Sequence, residues 1–188
     1  MELTEAILTR RSVRKYKSDS IPEQTIRELI ELAAWAPSGM NGQPWVFVVV
    51  EDGEYLRALS NRAKAFLLER IKNIGGPLGR YKQVLSNPDF DIFYNAPALV
   101  LIYGDTNTLT YVYDCSMAAQ NLMLSACERG IGSCWIGFAN GIGNTPEVKA
   151  ELNVPEHYAL VAPVILGYPE GSTGKGARSQ AKIISWKR

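Results

Sequence analysis

Residues 109–136 read LTYVYDCSMAAQNLMLSACERGIGSCWI, and the architecture turns on them. From Leu109 to Glu128 apolar side chains fall on more than one side of a 3.6-residue period, which predicts a helix buried all round and therefore central. Gly130 and Gly132 end it, and Ser133–Ile136 predicts a short strand directly afterwards. Ala98–Tyr103 and Tyr158–Leu166 predict two longer strands, the second despite Pro163, which assigns part of it to an edge or a bulge. Trp45–Val50 is β-branched and aromatic and too short for a typical helix, so it predicts a buried strand.

Further out, Leu3, Ile7 and Leu8 predict a short first helix. Ser20-Ile21-Pro22-Glu23 has the spacing of a capping box opening a second, whose stripe is Ile26, Leu29, Ile30, Ala33 and Ala34 and which stops before Pro37. Leu56, Leu59, Ala63, Phe66 and Leu67 give a third helix, ended by Gly75-Gly76-Pro77. Between there and Asn95 the pattern is irregular and carries Tyr81, Phe90, Phe93 and Tyr94, as expected of a loop or short helices that cover something. Thr145-Pro146-Glu147 is an N-cap with proline at the first helical position. Lys182–Trp186 predicts a short apolar terminal strand that docks on another surface, after the flexible 171–176 stretch. Helices and strands alternate with no repeat or linker, the pattern of an α/β or α+β layer structure.

The 188 residues fit one domain, 1–188, and 46% hydrophobic with 21% charged residues is ordinary for a globular chain. A net charge of +1 provides no overall field to hold a polyanion, which disfavours nucleic acid and anionic membrane as partners. Met1–Arg11 carries Glu2 and Glu5 and no apolar signal region, and no apolar run approaches the ~18 residues of a membrane span. The expected location is cytoplasmic. Cys115, Cys127 and Cys134 lack paired spacing and read as free, mostly buried thiols; with His157 they do not form the paired-ligand pattern of a metal site.

Three segments carry candidate chemistry. Arg10-Arg11-Ser12-Val13-Arg14-Lys15-Tyr16-Lys17 puts five cations in eight residues of a nearly neutral chain. It suits either a phosphate, gripped by guanidinium forks and a hydroxyl, or the cation-favouring C-terminus of the first helix. Pro37-Ser38-Gly39-Met40-Asn41-Gly42-Gln43-Pro44 offers small residues for close approach to a flat ligand and amides for its edge, or is an ordinary helix-to-strand loop. In Gly130–Gly137 the glycines either cap the central helix or bare a backbone N–H to a cofactor. No dinucleotide-binding glycine fingerprint, phosphate-binding P-loop or nucleophile elbow is present, and the single histidine, His157, sits at a turn entering a strand and reads as structural.

In order and spacing, RRSVRKY, APSGMNGQPWVFVVV, NAPALVLIYGD, DCSMAAQNLMLSACERGIGSCWIGF and VAPVILGYPEG resemble the FMN-dependent nitroreductase family over nearly the whole chain. The resemblance implies an α+β fold with a central mixed, mostly antiparallel sheet flanked by helices, in an intertwined homodimer with FMN at the subunit interface. It implies that Arg10, Arg11 and Ser12 hold the flavin's phosphate and ribityl chain and that Arg14 reaches the N1–C2 side of the ring. It brings Pro37, Ser38, Gly39 and Asn41 from the other subunit, passes Trp135, Ile136 and Gly137 along the ring, and makes Arg178 a second phosphate ligand, with Lys175 a weaker candidate. Longer members carry a lysine near the flavin where this chain reads Phe90-Asp91-Ile92-Phe93, so Arg14 carries that charge alone; Arg178 is followed by Ser179-Gln180 rather than Lys-Pro.

By this resemblance the chain is an FMN-dependent oxidoreductase using NADH or NADPH to reduce nitroaromatics, quinones or flavins by ping-pong hydride transfer through flavin N5. The flavin carries that chemistry, so no catalytic side chain and no metal are expected. The alternatives are another flavin chemistry on the same fold, reductive dehalogenation or oxygen-dependent, and a non-enzymatic FMN-binding sensor or carrier.

Overall fold

The computed structural model describes residues 1–74, 76–171, 174 and 176–188. Four strands, β1 (Trp45–Val50), β2 (Ala98–Asp105), β3 (Gly132–Trp135) and β4 (Tyr158–Gly167), form one sheet in the order β1-β2-β4-β3. Every neighbouring pair is antiparallel. The parallel component is one isolated bridge, Ser12 to Ser133.

The period-2 alternation of β2 divides the core. Ala98, Val100 and Ile102 face α2 (Glu23–Ala34) and α5 (Tyr111–Glu128). Leu99, Leu101 and Tyr103 face α3 (Gly53–Ile74) and the core that it shares with the short α4 (Lys82–Leu85), with α6 (Asn140–Gly143) and α7 (Pro146–Glu151) beyond. Covered on both faces, β2 and β4 read as continuous apolar runs. Each fully buried leucine or isoleucine there contributes about 1.5–3 kcal/mol. On β4, a register shift opposite Ile102/Tyr103 leaves Val161 as the bulged residue. Pro163 sits two residues on, where β3 has stopped pairing, so the missing N–H costs no bond to β3.

Several sequence expectations take a different form. The capping box at Ser20 is absent: Ile21 is drawn into the core, so α2 starts only at Glu23 with Pro22 as its N-cap. Thr145 does cap α7, its hydroxyl accepting from Val148 N. β1 is an edge strand, half-exposed between its buried ends, because its outer side has no partner among the described residues. α5 ends in a left-handed Gly130, with Ile131 N bonded to Ala126 O, so that glycine is a C-cap. Only one face of α5 is buried within the chain. Val112, Tyr113 and Met117 remain exposed on the other, as do Leu3, Ile7 and Leu8 of α1 (Leu3–Thr9), which packs on α5. The terminal strand expected at Lys182–Trp186 is not formed; residues 176–188 are exposed, with no regular structure. Among the described residues no helix is long and apolar enough to cross a membrane.

Candidate functional site

After α1 the chain runs extended beside the end of β3 and the segment following β4. Val13 N donates to Ser133 O (3.0 Å), Lys17 N to Tyr168 O (2.9 Å) and Glu170 N to Lys15 O (3.0 Å). Gly132 permits this, since a Cβ there would lie 2.8 Å from the Val13 side chain. Tyr16 locks the turn by donating to Val13 O (2.8 Å), and burial pushes its phenol well above the ordinary range. Two cavities adjoin this β3-edge framework.

The smaller, about 230 Å³, is lined by Arg10, Arg11, Gly132 and Ser133 among others. Arg11 donates to Leu8 O (2.9 Å) and Arg10 O (2.7 Å), so it does close the C-terminal end of α1. Its Nε, however, is buried without a partner, as is the Ser133 hydroxyl. Unpartnered buried polar atoms are rare in folded chains, and such atoms are met by a water, an ion or a ligand. Ser12 bridges to Ser133 through the backbone and lines neither cavity.

The larger cavity, about 440 Å³, takes one wall from Arg14 and from Cys134 through Phe138 at the end of β3. Its other wall comes from Leu67 and Arg70 on α3 and from Leu78, Tyr81, Ile92 and Tyr94 in the irregular segment that follows. The covering role expected of that segment is therefore observed. Tyr94 and Asn95 both have left-handed backbones (φ 56° and 53°), an uncommon state for a bulky residue. Asp91 holds them there, its carboxylate accepting from Phe93 N (3.0 Å) and Asn95 N (2.7 Å). Ser60 Oγ accepts from Ile92 N (3.0 Å), and buried Lys64 donates to the carbonyls of Asn87, Pro88 and Phe90. Arg14 lies over the Tyr94 ring, 5.8 Å from its centroid. The Asn140 Oδ1, on the same cavity, is a buried acceptor without a partner.

Trp135, Ile136 and Gly137 thus share a cavity with Arg14, and Arg10 and Arg11 share the adjoining one. Within this segment the Ile136 amide is engaged, donating to Pro163 O (2.8 Å). Burial pushes the Cys134 thiol up, outweighing the pull of the Arg14 charge, so it stands in the cavity as a neutral thiol.

The other expected residues lie elsewhere in the chain. Pro37, Ser38, Gly39 and Asn41 line neither cavity; their loop packs on the start of α5. There the buried Asp114 carboxylate accepts from Gly39 N (3.1 Å) and from the Thr110 hydroxyl (2.8 Å). A Cβ on Gly39 would sit 2.5 Å from Thr110 Oγ1, so internal packing accounts for this glycine. Met40, Asn41 and Gln43 carry positive φ, and Met40 is fully exposed: the loop is strained and presented outward. Arg178 lines neither cavity and among the described residues donates to Ala177 O (2.9 Å), although Gly176, two residues earlier, packs directly against the Arg11 guanidinium. Lys175 lies outside the described residues. Asn140, Arg70 and Asp114 went unread in the sequence, where each is a single polar residue within a helical segment and carries no motif.

The Nitroreductase family model matches residues 7–168. A nitroreductase with bound FMN from Bacteroides fragilis superposes with a TM-score of 0.85 at 31% identity, each chain covered completely. A putative NADH dehydrogenase/NAD(P)H nitroreductase from Archaeoglobus fulgidus is 32% identical over 90% of this chain and 86% of its own length. An iodotyrosine deiodinase from Thermotoga neapolitana is 28% identical over 93% and 92%. The family model spans most of the chain and the FMN-bound structure superposes over its whole length, so the chain belongs to the nitroreductase family.

Proposed function

We propose that this chain is an FMN-dependent oxidoreductase that takes NADH or NADPH as reductant and reduces nitroaromatics, quinones or flavins in ping-pong turnover. The observation that carries the reading is the pair of adjoining cavities with complementary unmet groups. One offers arginine and hydroxyl donors without partners, as a phosphate requires, and the other a buried amide acceptor beside aromatic and peptide surfaces, as a flat ring bearing an N–H requires. FMN has both parts, and the residues present fit it.

When bound, FMN supplies the hydride chemistry. Arg10, Arg11 and Ser12 would hold the phosphate and ribityl end, and Trp135, Ile136 and Gly137 would pass along the ring. Arg14 is held by the Tyr94 ring and a Ser12 carbonyl contact (3.4 Å), and with FMN bound it would put a fixed positive charge beside the ring where negative charge develops. The neutral Cys134 thiol offers no nucleophile, consistent with a chain that binds and orients rather than reacting.

We read the protein as a homodimer. Its open apolar surfaces support this: the outer face of α5, the exposed side of α1, and an arm carrying Ile183, Ile184 and Trp186. The strained 37–43 loop lines neither of the two cavities of its own chain, as a loop serving a partner's site would. Arg178 belongs to the same arm and is assigned to the phosphate on that basis. The likeness to the deiodinase favours reductive dehalogenation as a second reading.

Steady-state rates with NADH varied at several fixed levels of a nitroaromatic or a quinone test the proposal. Parallel double-reciprocal lines are expected. Intersecting lines would overturn ping-pong turnover, and no turnover with either acceptor while an iodinated phenol is dehalogenated would favour the second reading.

A further inference from the structure

The larger cavity has a feature that flavin binding leaves unused. Among the described residues its only charged lining side chains are Arg14 and Arg70, and no carboxylate lines it. Arg14 is engaged with Tyr94 and the Ser12 carbonyl. Arg70 is exposed and, among the described residues, makes no hydrogen bond or ion pair, whereas Arg27, Arg62 and Arg129 are each paired with a glutamate. It lies three residues after Leu67 on α3, and the two share a helix face: Leu67 is in the core and Arg70 is at the cavity rim. Around it the walls are aromatic, with Tyr81 edge-on to Phe138 at 5.2 Å between ring centroids and Tyr94 across the cavity lining. A guanidinium without a counter-ion, at the rim of an aromatic cavity without acids, matches a planar ligand that carries anionic oxygens.

Resting on the FMN-dependent reading above, we propose that Arg70 selects the exchanging substrate by its anionic group. The ligand class is a flat aromatic bearing a carboxylate or phosphate, its ring against the tyrosine walls and its oxygens on the Arg70 fork. Two sources can bring anionic oxygens to the Arg70 fork: the acid group of an aromatic acceptor, and the phosphate that NADPH carries on its adenosine ribose and NADH lacks.

The test uses the FMN-loaded protein and its Arg70→Ala, Arg70→Lys and Arg70→Glu variants. Benzoate and methyl benzoate are titrated against the absorbance of the oxidised bound flavin, and the Kd ratio of acid to ester is compared across variants. Separately, the ratio of KM values for NADPH and NADH is measured. Arg70→Ala is expected to shift one of these ratios against the anion by about tenfold, Arg70→Lys to recover part of it, and Arg70→Glu to go further than alanine. A shift in the first ratio assigns an acidic acceptor, and a shift in the second assigns the nucleotide phosphate. If neither ratio moves while the variants hold FMN and are reduced, Arg70 selects no anion and the proposal falls, leaving the flavoenzyme reading intact. A chain that holds no FMN overturns both.

Discussion

Asp114 ties the strained loop to the body of the molecule. Its buried carboxylate takes the Gly39 amide and the Thr110 hydroxyl, and no cation pairs with it among the described residues. Asp114→Ala leaves both donors without their acceptor and should cost about 2 kcal/mol, measurable by urea unfolding. If the loop serves a partner's flavin, FMN retention should fall in the same variant. Arg14 acts through charge. Arg14→Ala should lower the midpoint potential of bound FMN, each ~1 kcal/mol of lost stabilisation giving roughly 20 mV for a two-electron couple. Potentiometric titration checks this, and an unchanged potential removes that role from Arg14.

Among the elements, the cover over the larger cavity depends most on one side chain. Lys64 is buried on α3, and its ammonium is satisfied by three carbonyls of the 87–90 turn rather than by a carboxylate (2.7 to 3.3 Å). Lys64→Met keeps the stem but removes the donors, so the turn and the left-handed Tyr94 should loosen. Hydrogen exchange at residues 89–95 is expected to rise at least ~10-fold, with a higher acceptor KM. Exchange unchanged there would show that Asp91 and Ser60 hold the cover alone. Elements were legible wherever local residues decide them: the periodicity of α2 and the Thr145 cap stand in the sequence as they stand in the fold, and the β-branched run of β1 gave its strand and bounds though not its exposed edge position. Reading stopped where burial by a distant segment decides. Lys64 looks like any solvated helical lysine, the Ser20 box yields to the burial of Ile21, and Arg70 and Asn140 gain meaning only from the cavity they border. Arg14 and Trp135 to Gly137 were legible because short segments of unusual composition carry them, and the fold does place those segments side by side.

At the scale of the whole molecule, the exposed area is too large for a compact chain. A monomer of this mass would expose roughly 8,900 Å², whereas this chain exposes 11,554 Å². The excess falls in the range of obligate interface areas, and the exposed apolar residues of α1, α5 and the terminal arm contribute to it, as the proposed homodimer requires. It also explains why α5 reads as apolar all round while the chain covers only one of its faces. Deleting the residues after Gly176 should weaken dimerisation and FMN retention together, followed by sedimentation and by flavin absorbance. A truncated protein that stays a flavin-loaded dimer would remove the arm from both roles.

The central claim, a flavin held between the arginine segment and the β3 edge and reduced by a nicotinamide, is tested most directly by one absorbance spectrum. The protein is purified with FMN added, desalted, and measured before and after anaerobic addition of NADH or NADPH. Flavin bands that survive desalting and bleach on addition are the predicted result. Bands that survive but do not bleach would contradict the oxidoreductase reading in favour of a flavin carrier, and a protein that retains no FMN would contradict the assignment of both cavities.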